Sequence, residues 1–137
     1  MPRASIWLVR AALVHLVLGA VLGTWLLAAK GGALPVPPTP VLGGHAAVMV
    51  IGWLVQGTLG VAWWILPRMP AEPVRGPEWI PWTTLILFNL GIVSLAGGPV
   101  AGRWAVLLGL GLALVGALVF AAGVAPRIKA FGAARSR

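Results

Sequence analysis

Four long apolar stretches, Ile6–Ala29, Leu42–Leu66, Trp82–Gly97 and Trp104–Val124, are separated by connections rich in proline and glycine. No other feature of the sequence constrains the fold as strongly. Hydrocarbon offers a backbone no hydrogen-bond partners, so a spanning segment must satisfy its own amides as a helix or lie in a closed barrel. A barrel is built from many alternating segments, whereas these stretches are continuous and near the ~20 residues that cross a bilayer as a helix. The expected fold is therefore all-α: a membrane protein with a four-transmembrane-helix bundle, a single transmembrane domain over residues 1–137. Composition agrees, with 60% hydrophobic and 9% charged residues, against roughly 25% charged in an average soluble domain.

Each connection stops a helix for a stated reason. Gly31-Gly32-Ala33-Leu34-Pro35-Val36-Pro37-Pro38-Thr39-Pro40 contains prolines that lack an amide donor and collide with the preceding turn. A second break runs from Pro67 to Pro81 and carries Arg68, Glu72, Arg75 and Glu78, and Gly97-Gly98-Pro99 begins the third. The first stretch has the basic start of a signal peptide. Its apolar run of about 23 residues exceeds the usual 7–15 of such a peptide, so it is expected to be retained, although Ala28-Ala29-Lys30 would permit cleavage.

The net charge of +8 does not point to nucleic acid, because the basic residues flank the apolar stretches and act there as topology signals. Arg3, Arg10, Arg68, Arg75, Arg127, Lys129, Arg135 and Arg137 fall on one side, against Lys30 and Arg103 on the other. That bias predicts cytoplasmic N and C termini and a multi-pass protein of the inner (plasma) membrane. The basic end from Arg127 to Arg137 reads as a solvated anchor. Trp7, Trp79, Trp82 and Trp104 lie near span ends, where an indole is comfortable at the headgroup level.

Several chemistries lack material. There is no cysteine, hence no disulfide, thiolate or iron–sulfur ligand, and no aspartate; both glutamates sit in the second connection. Paired-carboxylate and Ser/His/Asp schemes are thereby disfavoured, and a transporter lacks an intramembrane acid. The informative residues inside the spans are the ionisable and amide ones, His15, His45, Gln56 and Asn89, with Ser94 as a further candidate. At 1.5 Å rise per residue, His15, Gln56 and Asn89 all fall near the bilayer centre, where they are expected to meet as interhelical hydrogen-bonding groups. His15 shares a helical face with Gly19 and Gly23, a spacing that admits a close neighbour. His45 opens the second span on the outer side, and Met49, Gly52, Gln56, Gly60 and Trp63 continue its face at steps of three or four. A neutral imidazole binds haem iron, and small residues beside it leave room for a flat macrocycle.

The segment His45-Ala46-Ala47-Val48-Met49-Val50-Ile51-Gly52-Trp53, continuing through Gly57 and Gly60 to Trp63-Trp64-Ile65-Leu66-Pro67-Arg68, resembles the second transmembrane helix of haem–copper oxidase catalytic subunits, closest to the nitric oxide reductase branch. The resemblance covers about 25 residues. It implies that His45 is an axial ligand of haem b, with Met49, Gly52 and Gly60 lining the group. The catalytic subunits of that family have about a dozen helices and a trio of metal-binding histidines; only two histidines exist here, so no self-contained oxygen or nitric oxide reduction is implied.

Two functional expectations follow. The first is a small membrane cytochrome, or haem-carrying subunit of a respiratory complex, serving electron transfer or redox or gas sensing. Its iron is held by His45, with Arg103 and Lys30 beside the propionates. His15, the other histidine, is a poor second ligand because it lies roughly 15 Å deeper. A homodimer presenting two copies of His45, a five-coordinate haem, or a ligand from a partner in a larger complex would each complete the site. The second expectation is a cofactor-free structural or accessory subunit of a membrane complex.

Overall fold

The computed structural model describes residues 1–35, 39–67 and 76–128. Arg68, Glu72 and Arg75 of the second connection, and Lys129, Arg135 and Arg137 of the basic end, lie outside the described residues. Among the described residues all regular structure is helical, and four helices are long and apolar enough to cross a membrane. They are α1 (Arg3–Lys30), α2 (continuous through Thr39–Ala47, Val48–Val55 and Gln56–Ile65), α3 (Trp79–Ala96) and α4 (Arg103–Val124). The chain is a multi-pass α-helical membrane protein.

The helices run alternately up and down. Leu8 near the start of α1 lies against Gly60 near the end of α2, and Gly23 lies against His45. Gly44 of α2 meets Ala96 at the end of α3, and Ile80 at the start of α3 meets Gly123 late in α4. The end at which α1 begins and α4 finishes is termed proximal, the opposite end distal.

α3 begins at Trp79 rather than at the expected Trp82. Pro81 falls in the first turn, where an amide would have no intrahelical acceptor, so the ring is tolerated there. Ile80 N–H bonds Pro77 O at 3.2 Å, which starts the turn. The 18 residues of α3 make about 27 Å at 1.5 Å per residue, slightly under the ~30 Å hydrocarbon core and within the roughly 17–25 residues of spanning helices. After it, a short turn at Gly98–Ala101 leads to Gly102, whose φ of 79° reverses the chain into α4. That left-handed backbone is the conformation glycine adopts without steric penalty.

α3 and α4 pack backbone to backbone. A Cβ on Gly91 would stand 2.9 Å from Gly109 O, and one on Gly109 would stand 2.7 Å from Gly91 O. Gly109, Gly116 and Gly123 recur every seven residues on α4 and receive, respectively, the α3 backbone, Phe88 and Ile80. A seven-residue spacing of small residues keeps one seam facing an antiparallel neighbour. At the proximal end Trp63, Ile80, Phe120 and Val124 form the buried apolar cluster, with the Trp63 and Phe120 rings 5.9 Å apart at 60°.

The middle of α2 is a π-helix over Val48–Val55, which sequence reasoning had not anticipated. The buried positions Gly44, Val48, Gly52, Gln56 and Gly60 recur every four residues. On an α-helix of 3.6 residues per turn, steps of four drift by about 40° each, or roughly 160° from Gly44 to Gly60. A wider helix follows a four-residue period, and the π stretch keeps these positions turned inward. Stretches of this kind are rare and concentrate at functional sites.

The face of the bundle toward lipid is apolar, as expected. Trp7, Trp79 and Trp104 are exposed near helix ends; Arg10 lies 5.6 Å over the Trp7 ring and Arg103 lies 5.2 Å over Trp104. Trp82 is half-buried.

Candidate functional site: the histidine-bearing seam between α1 and α2

His45 sits nearly two turns into α2 and lies on Gly23 of α1, where a Cβ would come within 3.1 Å of its Cε1. Its Nδ1 is 3.1 Å from Gly19 O. A carbonyl only accepts, so Nδ1 carries the proton and donates. The Nε2 lone pair is then the one available for a further partner. This backbone bond fixes both ring orientation and tautomer in the manner common to metal-binding histidines.

Met49, one turn further, lies over Gly19 with its Sδ in the space a Cβ there would take. At Gly52 the neighbour is His15: Cγ, Cβ and Nδ1 of the imidazole would lie 2.6, 2.9 and 2.9 Å from a Cβ. At Gly60 the neighbours are Leu8, Val9 and the Ser5 carbonyl. The expected face from His45 through Met49, Gly52, Gln56 and Gly60 therefore exists and turns toward α1. The slot expected on Gly52 and Gly60, however, is filled by His15, Leu8 and Val9, which makes it a helix–helix seam with no room for a macrocycle. Small residues there admit α1 itself. Trp63 leaves this face and joins the α3–α4 cluster.

The two histidines are well separated. His15 lies against Gly52, whereas His45 lies against Gly23, eight residues further along α1. That offset is about 12 Å at 1.5 Å per residue, so one metal ion cannot be shared by both. Among the described residues no group of three or more His, Cys, Asp or Glu is placed to hold a metal.

The central polar level forms in part. Asn89 Nδ2 donates to Gln56 Oε1 at 3.2 Å and to Leu85 O at 2.7 Å, and Gln56 Nε2 donates to Leu8 O at 3.5 Å. These bonds tie α3 to α2 and α2 to α1. His15 is buried one turn away, and its Nδ1 makes no hydrogen bond. Thr84 adds a second link, donating within reach of Ile80 O at 3.0 Å and Gly116 O at 3.3 Å.

Arg127 was expected in a solvated anchor and is instead fully buried. Its guanidinium lies 4.7 Å over the Trp63 ring. Nε donates to Pro67 O at 2.9 Å, and Nη2 donates to Trp63 O at 3.1 Å and Leu66 O at 2.8 Å. The cause is readable: in a continuing helix Trp63 O would accept from residue 67, but Pro67 has no amide hydrogen. Arg127 supplies the missing donor and places a positive charge at the negative end of α2. Arg103 remains exposed at the distal end, the same end as His45.

Fold and site define a four-helix membrane protein with one proton-fixed imidazole near its distal end. Compared with known proteins, the chain matches no family model, no curated protein and no solved structure.

Proposed function

We propose that the protein is a haem-b-binding small membrane cytochrome, or the haem-carrying subunit of a respiratory complex, with His45 as an axial ligand. One observation carries this reading: the Nδ1–H bond of His45 to Gly19 O, which leaves Nε2 as the available lone pair. The donor chemistry fits a haem iron, while the Gly52–Gly60 seam does not fit the macrocycle. A haem held by His45 would lie outside the α1–α2 seam, on the Nε2 side of the ring. Arg103 and Lys30, both exposed at the distal end, are the cations available for propionates.

When bound, a b-type haem supplies one-electron chemistry between its ferric and ferrous states. The chain's own contribution is to hold the imidazole in one tautomer and keep the ring against Gly23. With His15 about 12 Å away, a second protein ligand would come from His45 of another copy, in keeping with the prevalence of twofold dimers, or from a partner subunit, and a haem without one would be five-coordinate. The basic bias of the proximal end favours cytoplasmic termini and a plasma-membrane location.

A cofactor-free structural or accessory subunit is the second reading, favoured by the completeness of the α1–α2 seam. Haem quantified per chain after purification in mild detergent separates the two. One haem per chain, or one per two chains, supports the cytochrome; a colourless chain co-purifying with a larger complex supports the accessory subunit.

A further inference from the structure

His15 is the buried polar group that the proposed site does not use, and it stands against the middle of the π stretch. We infer that the His15 imidazole, seated on Gly52, holds α2 in its π register and thereby aims His45 at its ligand. The inference rests on the reading of His45 as an axial ligand for its functional half and on geometry alone for its structural half.

His15 Cγ and Cβ lie so close that any Cβ at position 52 would sit within 2.6–2.9 Å of them, so the ring and the glycine fit as a wedge and its notch. Gly52 is the fifth residue of the π-helix Val48–Val55. Converting that stretch to an α-helix moves its register by about one residue, which rotates the distal half of α2 by about 100° against the proximal half. Each half is separately fixed to α1. Gln56, immediately after the π stretch, donates to Leu8 O, and His45, three residues before it, donates to Gly19 O. Both bonds exist together only in the observed register. A rotation of about 100° carries His45 Nδ1 away from Gly19 O, frees the tautomer and swings Nε2 to another side of the helix. His15 is thus a positioning residue, acting on the site through helix geometry across about 12 Å.

Because the chain has no cysteine, spin-label pairs can be introduced cleanly. One pair, at Val21 and Leu42, spans the distal halves of α1 and α2; the other, at Arg10 and Val61, spans the proximal halves. All four positions are exposed. In His15→Ala the distal distance is expected to change relative to the proximal one by several ångström, on the order of half a helix diameter of 10–12 Å. His15→Phe, which keeps a flat ring on Gly52, is expected to preserve both distances. Gly52→Ala, pushing from the other side of the contact, is expected to reproduce the shift. Both pairs unchanged in His15→Ala and Gly52→Ala would overturn the inference.

The haem readout is separate. Where the wild type binds haem, His15→Ala is expected to weaken it about 10–100-fold, the usual cost of losing a partner that orients a ligand, and His15→Phe to restore it. Unchanged haem affinity alongside a shifted label distance overturns the functional half. A wild type without haem defeats the cytochrome reading, and the label distances still decide the structural half.

Discussion

Replacing Arg127 by alanine is expected to cost the fold about 3 kcal/mol. The side chain makes three hydrogen bonds from a charged group, to Trp63 O, Leu66 O and Pro67 O, of which the one to Trp63 O is buried and the other two part-buried, and bonds from charged groups contribute about 1.5–3 kcal/mol each. The stacking on Trp63 at 4.7 Å adds about 0.5–2 kcal/mol. These contributions are not additive, and water at the membrane surface can reach carbonyls that the guanidinium leaves, so the net falls well below the gross sum. A loss of about 3 kcal/mol corresponds to on the order of a hundredfold in the folded population. Arg127→Lys keeps the charge but not the planar fork that reaches several carbonyls at once, and is expected to recover about half. Reversible unfolding in mixed detergent micelles, followed by Trp fluorescence, measures both. If Arg127 were a solvated anchor, the alanine variant would lie within about 0.5 kcal/mol of wild type, and that result would refute the capping argument.

Other expected outcomes rest on separate contacts. A double-mutant cycle of Gln56→Leu and Asn89→Leu should give a coupling of about 0.6 kcal/mol, up to about 1.7, in the same unfolding assay, with zero coupling contradicting the 3.2 Å bond. Gly109→Leu should prevent α3 and α4 from docking, since the added atoms meet backbone, and should abolish the folded species in size-exclusion chromatography. Gly123→Ala, whose added methyl meets the Ile80 side chain at Cδ1, Cγ2 and Cγ1 rather than backbone, should fold and lose about 1–3 kcal/mol from overpacking. Reporter fusions after Arg137 and within the Gly31–Pro35 connection should place the former in the cytoplasm and the latter outside; the reverse would overturn the charge-bias reading.

How much of this was legible in the sequence differs from one element to another. The four spans follow from hydropathy because lipid leaves the backbone no alternative to internal bonds, and even the misplaced start of α3 is a first-turn proline, permitted there for the reason it is excluded elsewhere. The inward face of α2 was also readable, but its meaning was not. Glycines at positions 52 and 60 leave space, and a sequence does not say whether a cofactor or a neighbouring helix fills it. The pairing of Gln56 with Asn89 follows from equal depth, whereas the absence of His15 from that pair depends on azimuth, which depth does not determine. The π stretch left a trace in the four-residue period from Gly44 to Gly60, obscured by the helical stripe that begins one residue later at His45. Arg127 was hidden by its company: it opens a basic run, and charge runs are ordinarily solvated. The clue lay 60 residues earlier, in the proline that deprives Trp63 O of its donor.

The central claim is that His45 ligates iron through Nε2. The reduced-minus-oxidised absorption spectrum of the detergent-purified protein, recorded for wild type and for His45→Ala at equal folded concentration, tests it most directly. The account predicts a shifted Soret band and a sharp reduced α-band in wild type, both lost in the variant while the helical content is unchanged. A wild-type protein without haem absorption, or a spectrum that survives the loss of His45, would contradict it.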